Sequence, residues 1–323
     1  MIPGLLAGAA LAGLWLVWAA GIEPRWLRGR AFRLQPGASP LPLPPVAAAA
    51  PSHISPAAAA TPSPTPTSPT PPAGAPTANG GAGRGAVRIA NLTDLHAPVY
   101  RIDESRLWSA LLAWQPHLIA FTGDLVEDGR LPWDAGLRLL ARLADRWPVY
   151  FVPGNHDHLA GWPRLEQGLR ASGVRVLANA GEPFQAAGYR FFVAGVDDPH
   201  TRRDRLDRAL TGAPADLPVL LLAHAPAEGL LRQACRRHIP LVLTGHTHGG
   251  QVRLPWVGAL WVPGQGWFPR YDRGWFPLGR GCLLVNAGLG TPKPWVRWLC
   301  PPEVLLIAWQ PAPCGSQPLQ RQA

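Results

Sequence analysis

Five short blocks along this chain gather Asp, His and Asn: Asp94-Leu95-His96, Gly123-Asp124, Gly154-Asn155-His156-Asp157, His224 within LLAHAP, and Gly245-His246-Thr247-His248. Between them they offer carboxylate oxygen, amide oxygen and imidazole nitrogen, with no thiolate. That is enough for two adjacent divalent cations. Neutral imidazoles suit Mn, Fe or Zn better than Mg or Ca. Two metals side by side fit in-line attack on a phosphoryl centre.

Blocks so far apart in sequence act together only if the fold brings them to one place. Each follows a short apolar run that reads as a buried strand: VRIANLT before Asp94, residues 117–122 before Asp124, 149–152 before Asn155, 218–222 before His224, and 240–244 before His246. Further strands are expected at 174–177, 189–194, 282–286 and 304–309. Helical spacing marks 105–114, 133–147, 162–171, 203–210 and 227–237 between them. Strand and helix in alternation imply an α/β sheet with helices on both faces. Ligands in such folds collect beyond the carboxyl ends of strands, where all five blocks sit.

The order D-x-H, G-D, G-N-H-D, H, G-H-x-H resembles the calcineurin-like metallophosphoesterases. That resemblance implies a four-layer αββα sandwich holding two divalent metal ions. It assigns Asp94, His96 and His248 to one metal, Asn155, His224 and His246 to the other, and Asp124 to the bridge. A carboxylate has two oxygens with which to bridge, and Asn155 adds an oxygen without adding charge. The resemblance also makes a hydroxide activated between the metals the nucleophile, His156 a general acid for the leaving oxygen, and Asp157 the group that orients His156. His158 is expected as an exposed loop residue, and Asp197-Asp198-Pro199 as a turn or cap. The stretches GHTHGGQVRLPWVGAL, RYDRGWF, NAGLGT and CPPEV are similar to a membrane-associated bacterial phosphodiesterase subgroup, which includes UDP-2,3-diacylglucosamine pyrophosphatases. Asn286 and Ala287 depart from the Ser and Arg common there.

Outside the blocks, composition divides the chain. Residues 2–22 carry no charged side chain and, at about 1.5 Å per residue in a helix, are just long enough to span a bilayer. Arg25, Arg28, Arg30 and Arg33 follow, so 1–35 reads as a membrane anchor with juxtamembrane arginines. The positive-inside rule then puts the rest of the chain in the cytoplasm; a cleaved export signal is the alternative. Residues 36–85 are rich in Pro, Ala, Ser, Thr and Gly and read as a disordered spacer. The phosphoesterase domain is expected over 86–310, with a flexible tail at 311–323.

The net charge is +10, with Lys293 the single lysine, and this favours an anionic partner. Four cysteines without CxxC spacing argue against a disulfide framework or thiolate metal site. Residues 256–276 hold seven aromatic residues with Arg270 and Arg273 among them. They suit either an amphiphilic or membrane-facing surface or a Trp-rich hairpin packed on a sheet edge. The leading expectation is a metal-dependent phosphodiester or pyrophosphate hydrolase acting on a phosphorylated, lipid-linked or nucleotide-linked substrate at a membrane. No nucleic-acid recognition motif is present. A nuclease, a general phosphatase and a non-catalytic tethered metal-binding protein are the alternatives.

Overall fold

The computed structural model describes residues 27–35, 41–43, 85–98, 102–129, 133–292 and 296–311. Its strands are β1 (Arg28–Leu34), β2 (Leu41–Leu43), β3 (Val87–Leu92), β4 (Leu118–Phe121), β5 (Val149–Phe151), β6 (Arg175–Val176), β7 (Ala180–Ala186), β8 (Tyr189–Gly195) and β9 (Val219–Leu222). After these come β10 (Leu241–Thr244), β11 (Arg253–Leu254), β12 (Gly258–Ala259), β13 (Trp261–Val262), β14 (Gly266–Trp267), β15 (Gly274–Leu278), β16 (Gly281–Val285) and β17 (Glu303–Trp309). The helices are α1 (Glu104–Trp114), α2 (Asp134–Ala144), α3 (Asn155–Leu159), α4 (Trp162–Ala171), α5 (Leu206–Ala209) and α6 (Glu228–Arg236).

Two sheets result. One runs β2-β1-β17-β3-β4-β5-β6 and the other β15-β16-β10-β9-β8-β7. Their central strands are apolar on both faces because both faces are covered. Between the sheets lie Ile89, Leu118, Tyr150, Phe191, Val193, Leu220, Leu241 and Ile307. On the outer face of the first sheet, Leu92, Phe121 and Phe151 meet Leu107 and Leu111 of α1, Leu139 and Leu140 of α2, and Leu165 and Leu169 of α4. The second sheet is covered by Leu206 of α5 and by Leu230 and Leu231 of α6. The layering is helix, sheet, sheet, helix. Strands β3, β4 and β5 run parallel, as do β8, β9, β10 and β16, so their carboxyl ends share one rim.

The folded unit begins earlier than Ala86. Strand β1 pairs in parallel with β17 from Arg28↔Glu303 to Leu34↔Trp309, and β2 pairs with β1. Arg28, Arg30 and Arg33 therefore lie in a sheet. Phe32 and Leu34 are buried in the core between the sheets, and Arg30 pairs with the buried Glu303 at 3.0 Å. Three arginines in seven residues mask the apolar Ala31, Phe32 and Leu34 that pull this segment inward. Part of the expected spacer, Leu41–Leu43, is likewise a strand. The apolar segment 2–22, residues 44–84 and the tail 312–323 lie outside the described residues. Among the described residues no helix is long and apolar enough to cross a membrane.

Candidate metal centre

All five blocks come to the shared rim. Asp94 and His96 follow β3, Asp124 follows β4, Asn155 opens α3 after β5, His224 follows β9, and His246 and His248 follow β10. The turns are tight enough to force Asp94, His96, Asp124, His246 and His248 into left-handed backbone, with φ between 50° and 69°. Asp and His tolerate that region better than most residues, and such outliers concentrate at functional sites. Close approach also explains two glycines. A Cβ on Gly154 would sit 2.2 Å from Asp124 Oδ1, and one on Gly245 would sit 2.3 Å from Asp94 Oδ2.

The side chains form two adjoining clusters, Asp94–His96–His248 and Asp124–His224–His246. Within each, one ligand atom per residue lies within 4.8 Å of the others. His248 Nε2 is 3.5 Å and His96 Nε2 3.9 Å from Asp94 Oδ1. Asp124 Oδ2 faces both clusters, 3.9 Å from His96 Nε2 and 3.2 Å from His224 Nε2. Asn155 Oδ1 lies 3.2 Å from His224 Nε2. His246 Nδ1 and His224 Nε2 face each other at 3.0 Å.

The donor set fits divalent metal. His96 Nε2, beside Asp94 and Asp124, is buried with no hydrogen-bond partner, a costly state unless a cation takes the lone pair. Other contacts fix the rings. His224 Nδ1 donates to the Thr122 carbonyl at 2.8 Å, which turns Nε2 toward Asp124 and Asn155. His96 Nδ1 meets Glu127 Oε2 at 2.7 Å, the carboxylate–histidine arrangement that orients metal-binding imidazoles. Burial holds His246 and His248 well below the usual imidazole range, so both are neutral and able to ligate. Burial opposes ionising Asp124, but His224 beside it overcomes this and keeps its carboxyl well below the ordinary value.

His156 is half-buried, with its ring 4.9 Å from that of His96. Its Nδ1 donates to the Glu127 carbonyl at 2.6 Å, and its backbone N–H donates to Asp124 Oδ1 at 2.9 Å. Asp157 does not orient it. The buried Asp157 carboxylate accepts the N–H groups of Asp124, Leu125 and Gly154 at 2.8–2.9 Å and of Val126 at 3.3 Å, so it braces the two loops carrying Asp124 and Asn155. A carboxylate three residues into a short helix reaches the free N–H groups around it more easily than its neighbour's ring. Burial, then the Asp124 charge, push Asp157 up to about 7. His158 is half-buried in α3, with Nε2 2.6 Å from Asp197 Oδ1, rather than in an exposed loop. Asp198 has the expected turn role, accepting the N–H groups of His200 and Thr201.

Three residues beyond the blocks matter. Glu127 is three positions after Asp124, a spacing that could have drawn notice. His200 follows the Asp-Asp-Pro turn, its ring 4.5 Å from that of His246. Arg297 is fully buried and donates to the carbonyls of Ala287, Gly290 and Cys300, gathering the loop after β16 beneath Asp94. Nothing in its local sequence marks it.

Residues 87–250 match the family model for calcineurin-like phosphoesterases. The chain is 30% identical over 220 residues to the metallophosphoesterase YkuE of Bacillus subtilis, covering 67% of this chain and 72% of that one. It is 30% identical over 231 residues to a metallophosphoesterase of Aquifex aeolicus, covering 68% and 84%. To the phosphodiesterase YaeI of Escherichia coli it is 31% identical over 230 residues, covering 68% and 81%. With the ligand set gathered on one rim and these relatives alongside, the chain belongs to the calcineurin-like phosphoesterase family and is a phosphoric ester hydrolase.

Proposed function

We propose that this chain hydrolyses a phosphodiester or pyrophosphate bond. Asp94, His96 and His248 would hold one divalent metal, Asn155, His224 and His246 the other, with Asp124 between. The observation that carries this reading is the pair of adjoining buried clusters, Asp94–His96–His248 and Asp124–His224–His246, each with its candidate ligand atoms within 4.8 Å of one another. Two bound metals supply a water of lowered pKa and positive charge against the phosphoryl oxygens. The chain's own residues do the rest. Asp157 and Glu127 hold Asp124, His96 and His156 in place. With Nδ1 committed to the Glu127 carbonyl, His156 has Nε2 to carry a proton to the leaving oxygen.

A diester or pyrophosphate is favoured over a monoester because one relative, YaeI, is named a phosphodiesterase. A membrane-borne, lipid-linked substrate is supported by the exposed Trp256, Trp267 and Phe268 and by the apolar stretch at residues 2–22. The test is hydrolysis of bis-p-nitrophenyl phosphate and of UDP-2,3-diacylglucosamine by the full chain. The protein is stripped of metal and then given Mn²⁺, Fe²⁺ or Zn²⁺ in turn. Metal-restored turnover of both supports the whole reading. Turnover of the simple diester alone removes the lipid-linked substrate. No turnover with two metals bound overturns the hydrolase.

A further inference from the structure

Beside His246 the rim opens into a pocket of about 530 Å³. Its lining includes Pro199, His200, Pro226, Pro263, Phe268 and Tyr271. The aromatic part of the wall is supplied by the loop after β14, a region the metal site does not require. We propose that this pocket holds the substituent retained on phosphorus after a phosphodiester is cleaved, and that it selects a planar ring there. The inference rests on the hydrolase reading above.

Three observations support it. First, position. His156 lies against His96, whereas the pocket lies against His246 in the other cluster. If the leaving oxygen is served by His156, the pocket is placed for the other ester arm. Second, the segments that carry these residues are held in place by dedicated contacts. The fully buried Asp198 carboxylate accepts the His200 N–H at 3.0 Å and both the N–H and hydroxyl of Thr201, fixing the backbone turn that carries the exposed His200 at the pocket wall. The Gln265 side chain donates to the Tyr271 carbonyl at 2.7 Å and accepts its N–H at 2.9 Å, closing the loop that carries both aromatic rings. Third, Phe268 is 72% exposed and sits at φ 52°, a backbone conformation that bulky residues rarely adopt. Its N–H donates to the Leu260 carbonyl at 2.8 Å, so the strained position is maintained. A large ring displayed to solvent in strained backbone at a pocket rim is a feature expected of a ligand contact.

The wall chemistry narrows the ligand class. Proline and aromatic faces accept a flat ring by stacking. Arg270 lies 5.2 Å over the Tyr271 ring and adds a cation beside this wall, suited to an anionic diester. Aryl or heterocyclic esters fit this wall better than short alkyl esters.

The test uses metal-loaded full chain and two diesters with one leaving group, phenyl p-nitrophenyl phosphate and methyl p-nitrophenyl phosphate. Wild type should prefer the phenyl ester by about tenfold in kcat/KM, the scale of one buried stacked ring. Phe268→Ala should bring that ratio close to one. Leu254→Ser, an exposed leucine outside the pocket, should keep it. Binding gives a second readout: phenyl phosphate should bind wild type more tightly than methyl phosphate, and Phe268→Ala should erase the difference. Turnover without a phenyl preference, or a preference unchanged in Phe268→Ala, overturns the pocket assignment and leaves the hydrolase standing. Turnover of neither ester removes both.

Discussion

His156 donates from Nδ1 to a carbonyl, so a proton on Nε2 is the one it can give away. Replacing it with Ala should lower turnover by ~10²–10⁴-fold, as for loss of a general acid, while metal content measured on the same sample stays at wild-type level. Unchanged turnover in that variant would remove His156 from the chemistry. Glu127 acts one step further out, through His96. Glu127→Gln should weaken metal binding about 10–100-fold, read by competition with a chelator, because the imidazole loses its anionic partner. The candidate ligand residues are legible as five blocks because metal chemistry restricts residue type and strand ends restrict position. Glu127, His200 and Arg297 are not. Each acts through a contact set by folding, and Glu, His and Arg occur on any surface. The sequence marks Asp157 but suggests His156 as its partner, whereas adjacency in sequence to His156 is not adjacency of their polar atoms.

Helices α1 and α4 stand within a residue of where apolar spacing placed them. Helix α3 was not expected. Its sequence, NHDHL, is polar, and its N–H groups are satisfied partly by Asp124 and Asp157 rather than by a local signal. Strand β7 was also missed, because AGEPFQA carries Gly and Pro, which edge strands tolerate. Helix α1 has a plain N-cap: the Asp103 carboxylate accepts the N–H groups of Ser105 at 3.0 Å and Arg106 at 3.3 Å. The Ser105 hydroxyl, then these N–H groups, hold Asp103 below its ordinary value of 3.8. A carboxyl lowered in the folded state contributes stability above its unfolded pKa and loses it as pH falls through the folded one. Asp103→Ala should therefore cost ~1 kcal/mol in urea unfolding at neutral pH. The gap should close in acid. A gap that persists in acid would assign the loss to something other than the charged cap.

At the scale of the whole molecule, composition divided the chain in the wrong place. A boundary at residue 86 leaves out β1, which lies between β2 and β17 inside the first sheet. A chain of residues 86–323 should expose the β17 edge and the apolar groups that Phe32 and Leu34 cover. It should melt below the full chain and aggregate through that edge, as scattering on heating would show. Equal melting would mean that β1 contributes nothing to stability. The aromatic stretch 256–276 is partly built into the second sheet. Strand β15 packs on the edge of the second sheet, while Trp256, Trp261, Trp267 and Phe268 face outward. Replacing Trp256 and Trp267 with Ser should weaken sedimentation with anionic vesicles. Sedimentation equal to wild type would leave these rings without a lipid role.

Strand β17 comes after every candidate metal ligand in sequence, yet it occupies an interior position in the first sheet, between β1 and β3. During synthesis, the ribosome releases Arg28–Leu34 and then all five ligand blocks before the strand that joins the two sides of that sheet. Until residues 303–309 emerge, β1 has no partner on that side and β3 lacks one neighbour. The rim that gathers the ligands is therefore completed late. A premature stop between His248 and Glu303 would yield a chain that carries every candidate site residue and has no finished sheet on which to array them.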